Sequence, residues 1–377
     1  MATSGGQQNH NNFRGLEQRR LGRGKDETDK ALKGLPGGQK EGTDGFIIGA
    51  TCGLLSTRRH DRVIVLEFYG RSMHNATLAI NEIMELREGF RREGGTVKLS
   101  MLEEFNSKYV QAIEYSKKST KYEGDPISVL IIQVDSDDQP AIEQAVKAIV
   151  SKASAYDGVD AFVAQDRKQA ELYWEDRHKL SAIAKRTSGF KINEDIVIPL
   201  SALPEFALFL EQLNIECMAR AYRRAMQEVG RLKGMAEDDK EFNREFTYAS
   251  RIIKGEQDLG GMSDQELQRH AVLFLGSLKE KYPHLSAKIE KIEERMLASQ
   301  VVVASHMHAG DGNCHVNMPV NSGDADMLSE AEQVAEEVMK KAKELGGEIS
   351  GEHGVGITKI AFQDDEKIKS MREFKEL

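Results

Sequence analysis

The residues predict an α+β fold in which a ferredoxin-like antiparallel sheet forms a cap domain and carries a long helical insertion. Three observations predict it. Across residues 59–201, strand-like apolar runs and helical stripes follow the order β-α-β-β-α-β, once one extra helix is set aside. Residues 202–298 are mostly helical in pattern and highly charged. Two more strand-like runs then flank the dipeptide Asp311-Gly312.

Each element has its own signal. Residues 45–50 read as a short strand after the turn-rich 41–44, and residues 63–69 as a strong apolar strand. A helix is expected over 75–92, with Ala76, Ile80, Ile83, Met84 and Leu86 at roughly helical spacing. A strand over 96–101 and a helix over 103–118 follow, then a buried strand over 127–134, a helix over 139–153 and a strand over 160–163. Residues 166–185 read as a helix containing Trp174, and 190–199 as a strand. The insertion loosens near 255–263. Beyond it, strands are expected over 301–308 and 313–320, a helix over 324–345, a strand over 347–350 and a charged terminal helix.

Composition bounds the function. The chain has 377 residues, 40% hydrophobic and 30% charged, which is ordinary for a globular protein of two or more domains. A net charge of −9 argues against general nucleic-acid binding, which needs clustered Lys and Arg. Cys52, Cys217 and Cys314 lie far apart with no C-x-x-C pair, which disfavours cysteine-based zinc and iron–sulfur sites and a disulfide framework. A reducing cytoplasm is the expected setting, with peripheral placement at the inner face of the membrane as its variant. No apolar run approaches the ~18 residues of a membrane span. Residues 1–40 are polar, lack the apolar stretch of a signal peptide and read as a disordered tail with a solvated basic run, Arg19, Arg20, Arg23 and Lys25.

The chemistry concentrates in two glycine-rich segments. In His308-Ala309-Gly310-Asp311-Gly312-Asn313-Cys314-His315, Asp-Gly between strands predicts a two-residue hairpin turn. Gly310 then pairs with Asn313, Ala309 with Cys314 and His308 with His315, with His306 and Asn317 as the next pair on that face. Two directly opposed imidazoles, their Cβ atoms roughly 4.5–5.5 Å apart, can reach one metal ion. Glu352, in Gly351-Glu352-His353-Gly354-Val355-Gly356, is the best third ligand. Two histidines and one carboxylate leave a coordination position open, as in catalytic zinc sites. Gly351, Gly354 and Gly356 would let that loop approach a ligand closely, and His353 is left for another task. On the residues alone two rivals stay open: a metal-dependent hydrolase acting through bound water, and a non-catalytic assembly subunit built on the long helices.

From residue 41 onward the sequence resembles the FAD-linked oxidases of the vanillyl-alcohol-oxidase superfamily, in the branch of D-lactate, glycolate and D-2-hydroxyglutarate dehydrogenases. HAGDGNCHVN and GGEISGEHGVG look like its C-terminal signature. The resemblance implies FAD and a divalent metal, commonly zinc, as cofactors. It implies that His308, His315 and Glu352 bind the metal, that His353 is the catalytic base and that Asn317 touches substrate. Trp174-Glu175-Asp176-Arg177 and Gly189-Phe190-Lys191-Ile192-Asn193-Glu194-Asp195 resemble the substrate-carboxylate segment, implying that Arg177 and Lys191 bind a small D-2-hydroxyacid, D-lactate being favoured. Glu41-Gly42-Thr43-Asp44-Gly45-Phe46-Ile47-Ile48 resembles the close of the FAD-binding domain, with Gly42, Gly45 and Ile47 at the cofactor. The implied division is a tail over 1–40, the end of the FAD-binding domain over 41–58, the cap over 59–201, the helical insertion over 202–298 and the metal and substrate motifs over 299–377. No glycine-rich pyrophosphate loop precedes residue 41, so a fragment or a split-gene subunit is expected. Its FAD-binding domain would lie elsewhere in a longer chain or on another, with an iron–sulfur centre, quinone or cytochrome as electron acceptor.

Overall fold

The computed structural model describes residues 54 and 56–362, apart from 93–94, 180–182, 184–186, 188–189 and 237. The expected tail, the FAD-contacting Gly42, Gly45 and Ile47, Cys52 and the terminal helix beyond residue 362 all lie outside the described residues.

One seven-stranded antiparallel sheet organises the molecule. Its strands are β1 (His60–Phe68), β2 (Lys98–Asn106), β3 (Ser128–Ser136), β4 (Val159–Val163), β5 (Phe190–Val197), β6 (Ala304–His308) and β7 (Asn313–Val320). The spatial order is β4-β1-β3-β2-β6-β7-β5, and every pairing is antiparallel. The first four strands give the expected ferredoxin-like half. Strands from the far side of the insertion extend that sheet, so β5 pairs with β7 across more than a hundred residues of sequence.

Helices α1 (His74–Arg92) and α3 (Gln139–Ala153) cover one face of the first half, and α9 (Ala325–Glu344) covers the same face of the second. Side chains alternate between the two faces of a strand, so Ile64, Leu66, Leu130 and Ile132 join Cys314, Val316 and Met318 in one apolar layer beneath these helices. On the opposite face, α2 (Ser107–Ala112) and α4 (Arg167–His178) bury Tyr109, Val110, Ala170 and Tyr173 against Val63, Val65, Phe105 and Ile131. That second apolar layer ends near β6, and polar residues take over from there.

Two expectations need correction. The helix expected over 103–118 is much shorter: residues 103–106 continue β2, and only α2 is helical there. Residues 103–105 sit mid-sheet, paired with both β3 and β6, and those ladders override the helical preference of two glutamates. Asn106 then caps α2, its side chain accepting the N–H groups of Lys108 and Tyr109. The strand expected over 347–350 is reduced to one bridge, Val197 with Glu348.

The insertion is a helical bundle. α5 (Leu203–Gly230), α6 (Lys240–Ile253), α7 (Asp264–Lys281) and α8 (Ser286–Ala298) share a separate core including Tyr222, Met226, Leu275 and Ile289. A capping box between Ser263 and Glu266 starts α7 after the loose stretch. α5 belongs to both cores. Leu203, Phe206, Leu210, Leu213 and Cys217 pack under the sheet, whereas Met218 to Val229 face the bundle. Asn214, midway along α5, is buried. Its side chain accepts the Val303 N–H and donates to the Val303 carbonyl, both at 2.9 Å, just before β6 begins. Lys108 pairs with Asp264 and Arg71 with Glu266, tying the bundle to the cap. No helix of the described residues is long and apolar enough to cross a membrane.

Glu104 is a buried acid in the apolar layer. Ser128 donates to one of its oxygens at 2.7 Å, and the other has no protein partner. Burial pushes its carboxyl up to about 8, outweighing the Ser128 hydrogen bond, which lowers it. The folded state therefore keeps a proton that the unfolded chain, with an ordinary Glu near 4.3, releases. This contribution to stability is complete below the unfolded value and is lost as pH rises through about 8. Thermal melts should show the melting temperature falling between pH 5 and 8.5, with a shallower fall in Glu104→Gln. Parallel curves would show that another group carries the dependence.

Candidate metal and substrate site

The polar half of the sheet face is assembled by register. Glu103 and Phe105 of β2 stand opposite His308 and His306 of β6. His306 and His308 stand opposite His315 and Asn313 of β7. Asn317, His315 and Asn313 stand opposite Asn193, Asp195 and Val197 of β5. Partners in a ladder share a face, so four strands deliver these side chains to one surface.

This register differs from the expected one. His306, rather than His308, opposes His315, because the connection is a four-residue turn over 309–312. Ala309 gives its N–H to the Leu102 carbonyl at 2.8 Å, continuing the contact with β2, and the Asp311 N–H closes the turn on the His308 carbonyl. Gly312 adopts φ +74° and passes so close to β5 that a Cβ would lie 2.0 Å from the Ile198 carbonyl oxygen. The slip is two residues, an even number, so both histidines keep their face. They meet diagonally, with ring centroids 5.3 Å apart and planes at 84°.

Glu352 completes this group. His308 Nε2 lies 3.6 Å from Glu352 Oε1, and His315 Nε2 lies 3.6 Å from Glu352 Oε2. A tetrahedral ion with bonds of roughly 2.1 Å holds its ligand atoms roughly 3.4 Å apart, so the three side chains fit a divalent metal. The Nδ1 atoms face the other way. His308 Nδ1 donates to Glu103 Oε1 at 2.7 Å, and His315 Nδ1 lies 3.6 Å from Asp195 Oδ1. Such outer partners aim the opposite nitrogen at a metal. Burial pushes His315 down to about 4, against the pull of Asp195, which keeps the imidazole uncharged as a ligand must be.

Asp195, His315 and His353 also lie close enough to be considered as ligands. The Asp195 carboxylate is already spent. Its Oδ2 accepts three successive backbone N–H groups, from Gly351, Glu352 and His353, at 2.9, 2.7 and 2.8 Å. Its Oδ1 takes the Asn313 amide at 2.7 Å. Burial acts to raise the Asp195 carboxyl, but these donors hold it below the usual carboxylate range. Gly351 is required for this contact, since a Cβ there would lie 2.1 Å from Asn313 Nδ2. His353 stands beside the histidine group, its ring centroid 5.1 Å from that of His315. Lys359 anchors the end of the loop by donating to the Asp195 and Ile349 carbonyls.

The floor beside this group is polar and unsatisfied. Asn317 is fully buried, and neither its amide nitrogen nor its oxygen has a protein partner. Asn193 Oδ1, His306 Nδ1 and the Tyr109 hydroxyl are in the same condition. His306 stacks on His315 at 4.7 Å and meets Tyr109 edge-on at 5.0 Å. Burial holds His306 far below its ordinary value, and the nearby charges of Arg177 and Lys191 add to that effect. Positive groups therefore converge on this floor. Arg177 Nε donates to Glu103 Oε2 at 2.9 Å, and Lys191 is half-buried on the same face of β5, its pKa lowered by desolvation. Glu103 and Tyr109 belong to no motif in the sequence, and Asp195 and His306 lie near the motifs without a role; strand register brings Glu103, Asp195 and His306 here, and α2 brings Tyr109.

Comparison with known proteins places the chain. A family model described as FAD linked oxidases, C-terminal domain, matches residues 71–218 and 212–377. The glycolate oxidase subunit GlcD of Bacillus subtilis (strain 168) is 35% identical over 74 residues, 20% of this chain and 16% of that protein. The mitochondrial D-lactate dehydrogenase (cytochrome) of Arabidopsis thaliana is 30% identical over 83 residues, 22% of this chain and 15% of that protein. These matches span under one fifth of either relative's length. Among solved structures, a 4-ethylphenol oxidase from Gulosibacter chungangensis in complex with isoeugenol aligns with TM-score 0.37 and 8% identity, over 79% of this chain and 47% of that one.

The geometry makes one site prediction. Asp195→Asn removes a charged acceptor shared by three N–H groups, and hydrogen bonds to charged groups contribute roughly 1.5–3 kcal/mol each. Hydrogen exchange at Gly351, Glu352 and His353 should accelerate at least tenfold, by a local opening rather than global unfolding. Unchanged protection at those three amides would mean that the loop is held by something else.

Proposed function

Because the chain belongs to the family of FAD linked oxidases, C-terminal domain, we propose that it forms the substrate-side and metal-binding part of a flavin-dependent dehydrogenase oxidising a small D-2-hydroxyacid, D-lactate foremost, to the 2-oxoacid. The observation that carries this reading is the convergence of His308, His315 and Glu352 on one point, with His353 beside them and an unsatisfied polar floor next to them.

The chain's own residues divide the work. Arg177, whose Nε is committed to Glu103, offers Nη1 and Nη2 to a substrate carboxylate, with Lys191 as a second cation. Asn317 supplies a buried amide to the substrate's oxygens. His308, His315 and Glu352 would hold a divalent metal, zinc foremost, which when bound polarises the hydroxyl as a Lewis acid. His353 takes the hydroxyl proton, as suits a side chain type that titrates near neutrality. FAD, when bound, supplies the two-electron acceptor for the hydride leaving C2. The hydroxyl proton and the C2 hydride together account for the two hydrogens lost. Residues 41–58, including Gly42, Gly45 and Ile47, would close the flavin-binding domain, residues 59–201 with 299–377 would form the cap and motif region, and residues 202–298 the insertion. Electrons would pass on to an iron–sulfur, quinone or cytochrome acceptor.

Metal analysis and a dye-reduction assay with added FAD test this reading. About one zinc per chain is expected from a three-ligand site. Glu352→Ala should release the metal. His353→Ala should retain it while losing roughly 10²–10⁴-fold in turnover of D-lactate, glycolate or D-2-hydroxyglutarate. Full turnover after metal removal, or a fully active His353→Ala, would overturn the assignment.

A further inference from the structure

We propose that Glu103 is a positioning residue that ties the metal ligand His308 to the substrate-binding Arg177. The inference rests on the metal and substrate reading above and goes beyond it.

One carboxylate joins two groups with separate tasks. Oε1 accepts His308 Nδ1–H at 2.7 Å, and Oε2 accepts Arg177 Nε–H at 2.9 Å. The side chain is mostly buried, at 13% exposure, so both bonds are shielded from water. Its location follows from the ladder, because Glu103 of β2 is the direct partner of His308 of β6. Arg177 comes from a different element, the last turn of α4. Glu103 is therefore where the cap's first half meets the strand carrying the metal ligand.

Two consequences follow. A carboxylate has no hydrogen to give, so His308 Nδ1 must be the protonated nitrogen, and the Nε2 lone pair is left facing Glu352. The same charge fixes the guanidinium by its Nε and turns the outer fork away from Glu103. Without Glu103, His308 could take either tautomer, and Arg177 would stand as an uncompensated cation beside a cation-binding group. With Glu103 present, an anion drawn to Arg177 competes with Glu103's own charge for that guanidinium, so occupancy at the two places is linked.

The test uses the full chain. Zinc affinity is measured by competition with a chelating dye, in wild type, Glu103→Gln and Glu103→Ala. Glutamine keeps the shape but cannot accept from both neighbours. Both variants should bind zinc 10–100-fold more weakly, the range seen when outer partners of a ligating histidine are removed. Arg177→Ala should change zinc affinity when Glu103 is present and leave it unchanged in the Glu103→Gln background. Nitrogen-15 spectra of the metal-free chain should show a single Nδ1–H tautomer at His308 in wild type and a mixture in Glu103→Ala. His270, in the helical bundle, serves as the unaffected reference. Zinc affinities within twofold of wild type in both variants would overturn the proposal. If the wild type binds no zinc, the metal reading fails, and a mixed tautomer at wild-type His308 would then overturn the role of Glu103 as well.

Discussion

The Asp195 carboxylate is fully buried in the sheet, and a charge in that position is tolerable only when hydrogen bonds surround it. Three consecutive N–H groups of the 351–353 loop and the Asn313 amide provide them. This one interaction determines much of the site. It draws a loop with little secondary structure of its own against β5 and β7, and it fixes the spot where Glu352 and His353 leave the backbone. It also places an oxygen near His315 Nδ1, so the same anion orients a histidine and the loop opposite it. If Asp195 were apolar, the loop would lack the acceptor that specifies its path, and Gly351 would have no reason to press so closely on Asn313.

Much of this arrangement could be read from the chain itself. The β-α-β-β-α-β order gave the first four strands, since each alternated or ran apolar over a strand's length. The helix over 139–153 coincides with α3 because an Asp138 cap, an early proline and a clean apolar stripe mark its limits. The grouping of His308, His315 and Glu352 also agrees with the spacing of the two glycine-rich segments. Register was harder. Asp311-Gly312 signals a tight hairpin, but the turn is set by where Ala309 finds an acceptor, and that acceptor is on β2, some two hundred residues earlier. Glu103 was concealed for a related reason. Local preference places Glu103 and Glu104 in a helix, and only the pairing of β2 with strands on both sides makes them sheet residues. Tyr109 was illegible, and His306 was legible only as a residue of the histidine face, because the significance of both is a missing partner, which a sequence cannot display.

The two faces of the sheet are used differently. Beneath it, α1, α3, α5 and α9 close an apolar layer in which polar groups such as Glu104 are rare. Above it, the apolar packing of α2 and α4 reaches only the start of β6, at Ala304, and the remaining strands present asparagine, histidine and cations on that face. A rigid, dry layer on one side holds in place a surface of groups with unmet hydrogen-bonding capacity on the other. Preorganised donors and acceptors of this kind need little rearrangement when a ligand arrives.

The dual membership of α5 has a consequence for how the molecule comes apart. Its first half is buried under the sheet and its second half is the spine of the bundle, while Asn214 at the junction grips the backbone that leads into β6. The 97 residues of the insertion over 202–298 are enough for a domain with its own cooperative transition. Here the shared helix removes that independence. Melting the bundle would fray the anchor of the strand that presents His306 and His308, so the insertion and the ligand-bearing strands form one foldon despite having two cores.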